Sequence, residues 1–308
     1  MQITTIPTSA YLAFLNEVFP HWGDAAVYDW VFGNNTENET SDIFALADAD
    51  VILAGSGITY RTIGSAANFR ITIGIMTGSW TLPAHRGKGC FTKIIEESFR
   101  RVKGKNYDAL AAFVTQKNAS AGRLNAAGSA MLPAYYIFSD TSAGAFSSGV
   151  SSGVSNGEWK PEIVSPDAAI FACLHDAHAH TGAADDIARF LYTPEAFRKQ
   201  FVERPSKPFI LSANGLLLVA EESSDAVKIL FADKRDLPLW TETLRQLAFW
   251  AHKQKGKKIY YYTTLAAEKD LLEKTGFQTV PGFLTLLSND KTRTTLLPPL
   301  DIQLGDKM

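Results

Sequence analysis

One order of elements occurs twice along the 308 residues, which restricts the chain to a pair of similar units. The stretch 141–158, TSAGAFSSGVSSGVSNGE, separates the copies; Ser and Gly dominate it and it reads as a linker. Each copy runs through two helices, a hairpin, a strand, a helix, a strand, a helix and a strand. In the first copy the helices are expected at 8–18 and 24–32, and the hairpin turns at Asp48-Ala49-Asp50. A long strand covers 68–82, where Ile71, Ile73 and Ile75 alternate with Thr72, Gly74 and Met76. A helix from Cys90, a buried strand at 108–115, a helix at 119–131 and a strand at 134–139 follow. In the second copy Thr193 and Pro194 open a helix reaching 204, after one at 166–180. Asn214-Gly215 centres a hairpin, and 226–232, 258–264 and 283–288 are strands. Helices at 238–254 and 267–275 lie between them. The expected class is α/β (α+β), with two tandem units at 1–140 and 159–308, each a mixed, mostly antiparallel sheet flanked by helices.

A net charge of −2 with no basic stripe argues against nucleic acid and against a membrane surface as partners. Cys90 and Cys173 are too few for a disulfide framework. The opening MQITTIPTSAYLAF lacks the pattern of a signal peptide, and no apolar run approaches the roughly 20 residues that span a bilayer. A soluble cytoplasmic protein is therefore expected. The stretch LHDAHAHTG places His175 and His178 on one helix face and His180 elsewhere, with no second Cys/His pair to close a site. It reads as a solvated helix end, and no metal is expected.

The segment TLPAHRGKGCFTKIIEES, from Thr81 to Ser98, carries the chemistry. Pro83 ends the long strand. Phe91, Ile94, Ile95, Phe99 and Val102 recur at helical spacing, and the Glu96–Arg100 and Glu97–Arg101 pairs support the opposite face. A helix start exposes unpaired N–H groups and a partial positive charge, which Ser, Thr, Asp or Asn usually caps. None of these lies between Pro83 and Phe91; the entry is Arg86-Gly87-Lys88-Gly89, the composition of an anion cradle. It is no P-loop, and neither Gly87-Lys88-Gly89 nor Gly55-Ser56-Gly57 is followed by the third glycine of a dinucleotide fingerprint.

This segment resembles the acetyl-CoA binding segment of the GNAT (GCN5-related N-acetyltransferase) superfamily, which carries R/Q-x-x-G-x-G/A between its fourth strand and the next helix. Arg86 to Cys90 match the first five places, and Phe91 replaces the last small residue, as in a subgroup that reads R-G-K-G-x-F. LLEKTGF, in the second copy, resembles the ending of the family's penultimate helix. The resemblance implies two tandem GNAT-like units and an acyl-CoA-dependent, N-acetyltransferase-type enzyme that uses acetyl-CoA as cosubstrate on a small-molecule or peptide amine. It implies that the coenzyme A pyrophosphate sits on the N–H groups of Arg86, Gly87, Lys88, Gly89, Cys90 and Phe91. The pantetheine would pair with the backbone of Trp80, Thr81 and Leu82, entering a gap where that strand splays from 108–115. Asn118 stands where the family often has an Asn. No glycine occurs from Leu216 to Lys255, and Asp233 and Asp236 stand near the equivalent helix start, so one cofactor site is expected, in the first copy. The second copy would be degenerate, structural or a wall of the acceptor site.

Acyl transfer to an amine needs a neutral nucleophile, a polarised carbonyl and an acid for the thiolate. The family's usual Glu has no counterpart in RITIGIMTGSWTL, and Leu124 or Asn125 stands at its usual Tyr. Three readings stay open: a water relay; another group, with Tyr135 and Tyr136 or His21, Asp24 and Asp29 as candidates; or a catalytically silent acyl-CoA-binding, regulatory module. Cys90 reads as a small core residue behind the loop.

Overall fold

Alternating β-branched residues give the long strands, and thirteen strands join in one continuous sheet. The computed structural model describes residues 1–33, 39–139, 159–180, 186–290 and 297–307; the linker at 141–158 lies outside them. The first copy contains β1 (Gln2–Thr4), α1 (Thr8–Val18), α2 (Ala25–Gly33), β2 (Asp42–Asp48), β3 (Val51–Gly64) and β4 (Arg70–Thr81). It continues with α3 (Cys90–Gly104), β5 (Ala109–Thr115), α4 (Ala119–Ala126) and β6 (Ala130–Phe138). The second copy contains β7 (Glu162–Val164), α5 (Ala168–His180), β8 (Arg189–Phe190), α6 (Pro194–Phe201), β9 (Phe209–Ala213) and β10 (Leu216–Glu222). Then come β11 (Ala226–Ala232), α7 (Leu237–Lys255), β12 (Lys258–Thr263), α8 (Ala266–Lys274), β13 (Gln278–Leu287) and a closing 3-10 turn, Leu304–Lys307.

The strand order is β1-β2-β3-β4-β5-β13-β6-β12-β11-β10-β9-β7, with β8 paired to β3 off this path. Read from either end, β2, β3, β4 and β5 take the places of β9, β10, β11 and β12. The centre departs from two self-contained units. β13 pairs antiparallel with β5, β6 pairs antiparallel with β12, and the two pair with each other from Gln278↔Phe138 to Leu286↔Ala130. Each copy thus gives its last strand to the other's side. Helices flank the sheet; α7 buries Trp240, Leu244, Leu247 and Ala251 as its spacing predicts, and α3 buries Ile94, Ile95 and Val102. Glu97 departs from expectation. It is buried rather than solvated, held by Arg100 and Arg101 at 2.7 Å each.

Each copy has one parallel pair, because α3 and α7 are crossovers that return the chain in the same direction. β4 matches β5 only from Ile73↔Ala109 to Ile75↔Ala111, and β11 matches β12 only from Ala226↔Lys258 to Lys228↔Tyr260. Beyond these three-residue matches the strands part. In the first copy a bulge accompanies the parting. Between Gly55↔Trp80 and Gly57↔Thr77, β4 has one residue more than β3, and Gly78 takes a φ of +59° there. A bulge bends its strand, and this one carries the end of β4 away from β5. Tyr11 Oη, on α1, donates to the Gly78 carbonyl at 3.0 Å and holds the bulge.

The exchanged strands cross at Gly282, where an added Cβ would lie 2.5 Å from the Tyr136 ring and 2.6 Å from the Val114 carbonyl oxygen. Gly282→Ala is expected to destabilise the protein by about 1–3 kcal/mol through overpacking. Because β6 and β13 are shared, both copies are expected to unfold in one urea transition, with tryptophan fluorescence and far-ultraviolet dichroism giving one midpoint; two separate midpoints would contradict the shared core.

Candidate functional site

The segment between β4 and α3 folds as its glycines require. A 3-10 turn, Pro83–His85, leads into two left-handed residues, Gly87 at φ +79° and Gly89 at φ +80°. A Cβ at either would meet nothing within 4 Å, so backbone conformation rather than crowding selects glycine. Gly89 is the N-cap of α3, and no side chain caps the helix. Its first turn opens on a cavity of about 370 Å³ lined by Ser79, Thr81, His85, Arg86, Asn118 and Arg123 among others, with no carboxylate in the lining. A second cavity, of about 310 Å³, lies in the β4–β5 gap between Met76 and Gly78 on one side and Ala112, Phe113 and Val114 on the other. It shares Phe19, Ser79, Phe91, Asn118 and Ser120 with the first. A third, of about 340 Å³, shares Trp22, Met76, Gly78 and Phe113 with the second and reaches Arg204, Glu221, Lys228, Tyr260 and Lys307 of the second copy. Through these shared residues the second cavity adjoins both the first and the third.

Eight of the residues singled out in the sequence line the first cavity: Trp80, Thr81, Arg86, Gly87, Gly89, Cys90, Phe91 and Asn118. Lys88 is exposed and outside that lining. Leu82 is outside it too; its N–H donates to the Leu53 carbonyl at 3.0 Å, so its backbone faces β3. Residues alternate sides along a strand, so Ser79 and Thr81, not Trp80 and Leu82, turn their backbone groups toward the gap. Ser79 was missed; the Gly78 bulge that sets this register is the signal that would have found it. The Trp80 ring is buried against Tyr11 and Phe14. Thr81 Oγ1 is buried without a partner among the described residues, while the Thr81 carbonyl accepts from Arg86 Nε at 3.3 Å. Asn118 Oδ1 accepts from Ser120 N at 2.9 Å and caps α4. Cys90 is buried behind the loop. Neither Tyr135 nor Tyr136 lines any of the three cavities, nor do His21, Asp24 and Asp29. Tyr136 is packed inside the sheet, where burial pushes its hydroxyl up to about 12.

The same place in the second copy is built differently. Asp236 caps α7, its Oδ1 accepting from Leu239 N at 2.9 Å, and the Asp233 carboxylate pairs with Arg235. The space where β11 parts from β12 holds the segment 300–307. Gln303 Oε1 accepts from Ala232 N at 2.8 Å and its amide nitrogen donates to Ala232 O at 3.4 Å. Ile302 N donates to Thr264 Oγ1 at 3.1 Å. Gly305 runs so close to β11 that a Cβ would lie 3.0 Å from the Leu230 carbonyl oxygen. The Lys234 ammonium is buried between Asp301 and Glu268. Burial works against its charge, but the two carboxylates outweigh that and hold its pKa above the ordinary value. Glu268 also accepts from Trp240 Nε1, Tyr261 Oη and Thr263 Oγ1 at 2.6–2.7 Å.

The histidine-rich end of α5 corrects the sequence expectation of a solvated end. His178 is buried among Tyr192, Phe197, Phe201 and Phe231. Burial, helped by the Arg189 charge, pushes its imidazole down to about 3. His175 bonds to the Tyr192 carbonyl at 2.9 Å, and His180 stands outside with Asp176. Among the described residues no group of three or more His, Cys, Asp or Glu could hold a metal ion. Nor is any helix among them long and apolar enough to cross a membrane.

No family model and no curated protein matches the sequence. The architecture has counterparts among solved structures. A GCN5-related N-acetyltransferase from Kribbella flavida superposes with a TM-score of 0.63 at 14% identity, covering 96% of this chain and 73% of its own. The fold is that of the GCN5-related N-acetyltransferases. A tandem GNAT protein from the clavulanic acid biosynthesis pathway, solved without AcCoA, gives a TM-score of 0.60 at 9% identity and covers 92% of this chain and 97% of its own. Saccharomyces cerevisiae N-myristoyltransferase, with bound myristoyl-CoA and inhibitors, gives 0.62 at 10% identity over 93% of this chain and 80% of its own. The two tandem GNAT-like units that the resemblance implied are therefore matched at the level of fold.

Two changes test these packing assignments. His178 is neutral when folded and titrates near its ordinary value when unfolded, so its contribution is present above pH 6.5 and is lost as pH falls toward 3, at about 1.4 kcal/mol per pH unit. Relative to His178→Phe, the parent protein should lose stability by that slope between pH 6.5 and 4.5, as read by urea titration. Lys234→Met strands two buried carboxylates and is expected to cost about 3–5 kcal/mol by the same measurement.

Proposed function

We propose that the protein is an acyl-CoA-dependent N-acyltransferase, with acetyl-CoA as donor and an amine as acceptor, and that the first copy alone holds the cofactor. The observation that carries this reading is the uncapped start of α3 opening on a cavity lined by Arg86 and Arg123 and free of carboxylates, continuous with the β4–β5 gap. The residues present fit the group: the unpartnered Thr81 Oγ1 and the N–H groups of the first helical turn await acceptors. Bound there, acyl-CoA supplies an acyl group activated as a thioester.

The chain's own residues divide the work. The Arg86 N–H already donates to the Pro83 carbonyl at 3.3 Å, so the backbone N–H groups from Gly87 to Phe91 and the helix dipole hold the pyrophosphate, and the Arg86, Lys88 and Arg123 side chains balance its charge. Backbone groups of Ser79 and Thr81 pair with the pantetheine as a neighbouring strand would, and Asn118 lines the passage between the first two cavities. The acceptor amine enters through the third cavity, where Glu221 lines the wall. It gives up its proton to Glu221 or to a water in these cavities.

Binding by the first copy alone is supported by what stands in the second. Asp236 already caps α7, and the chain's own end occupies the β11–β12 gap, with Gln303 satisfying both backbone groups of Ala232. A catalytically silent acyl-CoA-binding module is the second reading. It is favoured by the lack of any carboxylate in the first two cavities.

Calorimetry is expected to find one coenzyme A per chain, and ligand at 100 times Kd should stabilise the protein by about 2.7 kcal/mol. Arg86→Ala combined with Gly89→Asp should abolish the thermal shift; an undiminished shift would place binding elsewhere, and a stoichiometry of two would defeat the single-site reading. Thiol release from acetyl-CoA with a panel of amines separates enzyme from silent module, since turnover on any acceptor excludes the latter.

A further inference from the structure

The third cavity carries a charge pattern that acyl transfer by itself does not require. Arg204 is buried, with 3% of its side chain exposed, and its guanidinium carbon lies over the Trp30 ring, 4.5 Å from the centroid. Its Nε is 3.8 Å from Glu221 Oε2, an ion pair but no hydrogen bond, and its Nη1 is buried with no partner among the described residues. An unmatched buried guanidinium N–H is costly, so its retention beside a cavity points to an acceptor atom that arrives from outside. Glu221 does not meet that demand: its ion pair with Arg204 is made at Nε and at 3.8 Å, while its oxygens take Ser206 Oγ at 2.5 Å and face Lys228 Nζ at 3.5 Å.

Lys307 adds a second cation. The chain end that fills the β11–β12 gap delivers it into the same cavity, where its Nζ sits 4.1 Å from the Tyr136 ring centroid and 4.4 Å from that of Tyr262. No carboxylate pairs with it among the described residues, and burial pushes its ammonium down to about 7. Asp306 next to it is committed to Tyr192 Oη at 3.0 Å and Gln303 N at 2.7 Å. The lining therefore sets Arg204, Lys228 and Lys307 against Glu221 alone. Trp22, Met76, Phe113 and Tyr260 supply apolar wall between these charges and the β4–β5 gap.

We propose that the third cavity is a carboxylate-binding subsite for the acceptor, with Arg204 and Lys307 as counter-charges, so that the acceptor is an apolar amino acid or a close derivative carrying both an amine and a carboxylate. This rests on the acyl-transfer reading above. A guanidinium with an open N–H and a nearby ammonium suit a carboxylate, and the single acid, Glu221, gives the lining the mixed sign of a zwitterion. A carboxylate at the far end of a dicarboxylic acyl group would use the same counter-charges, and the test separates the two sources.

The apolar amino acids and their N-acetyl derivatives are titrated by calorimetry against the corresponding amides, without cofactor. At least one acid is expected to bind tenfold or more tightly than its amide. Arg204→Gln and, independently, Lys307→Met should each remove most of that preference while coenzyme A binding stays at the parent value. Arg204→Lys should restore part of it, and Lys307→Met serves where Arg204→Gln does not fold. In a second arm, succinyl-CoA is compared with acetyl-CoA on a neutral amine. A preference for succinyl-CoA with none for acid over amide would overturn the assignment to the acceptor. Equal affinity for acids and amides, or a preference untouched in both variants, would overturn the subsite. Failure of coenzyme A to bind the parent protein would instead defeat the acyl-transfer reading on which the inference rests.

Discussion

The pairing of β6 with β13 is the contact on which the rest of the molecule depends. Without it the sheet would break between β13 and β6 and leave each with an open edge, a row of unpaired backbone groups. With it, each copy closes its edge with the other's last strand, and the two halves become one sheet. The exchange also places Arg204, Glu221 and Lys228 of the second copy beside Gly78 and Phe113 of the first. The third cavity therefore owes its walls to both copies.

Both copies contain a parallel pair that matches over three residues and then parts, and a parted pair must satisfy its inner backbone groups somehow. The two copies solve this differently. In the second, Gln303 pairs with Ala232, Asp301 with Lys234, and the end of the chain takes up the gap. In the first, the bulge at Gly78 opens the gap further, the helix beyond it has no cap, and Thr81 Oγ1 is unmatched. One wedge is thus filled from within, and the other leaves Thr81 Oγ1 without a partner among the described residues. The sequence difference is small: two glycines and two cations in one loop, Asp233 and Asp236 in the other.

Much of this was legible in the sequence because it is local. The start of α3 at Cys90, the hairpin at Asn214-Gly215 and the buried face of α7 follow from spacing and turn chemistry that act over a few residues. Of the eight residues gathered around the first cavity, those of the Arg86–Phe91 entry stand out by the same short-range rules, while Trp80, Thr81 and Asn118 were reached only through the resemblance to the GNAT segment. What escaped is non-local. β6 and β13 are both apolar along much of their length, so nothing in either states which neighbour it takes. The register at Ser79 turns on one extra residue opposite Ser56, and a one-residue slip exchanges the faces of a strand. His178 was misread because a helix with three histidines near its end resembles a solvated one, and only tertiary packing puts four aromatic rings around one of them. The closing segment 300–307 has no periodicity at all; its place is fixed by Gln303 and Asp301 finding partners some 70 residues earlier in the chain.

That segment has more contacts than a gap filler needs. Residues 300–307 are held by a buried ion pair, a side-chain amide on a strand end and a glycine pressed against β11. Such anchoring exceeds what closing a gap requires, since an apolar plug would do that at lower desolvation cost. Its further effect is positional: it sets Lys307 in the lining of the third cavity. The degenerate wedge of the second copy is then a mount. Filled by residues 300–307, it holds the Lys307 ammonium at a defined point over Tyr136 and Tyr262.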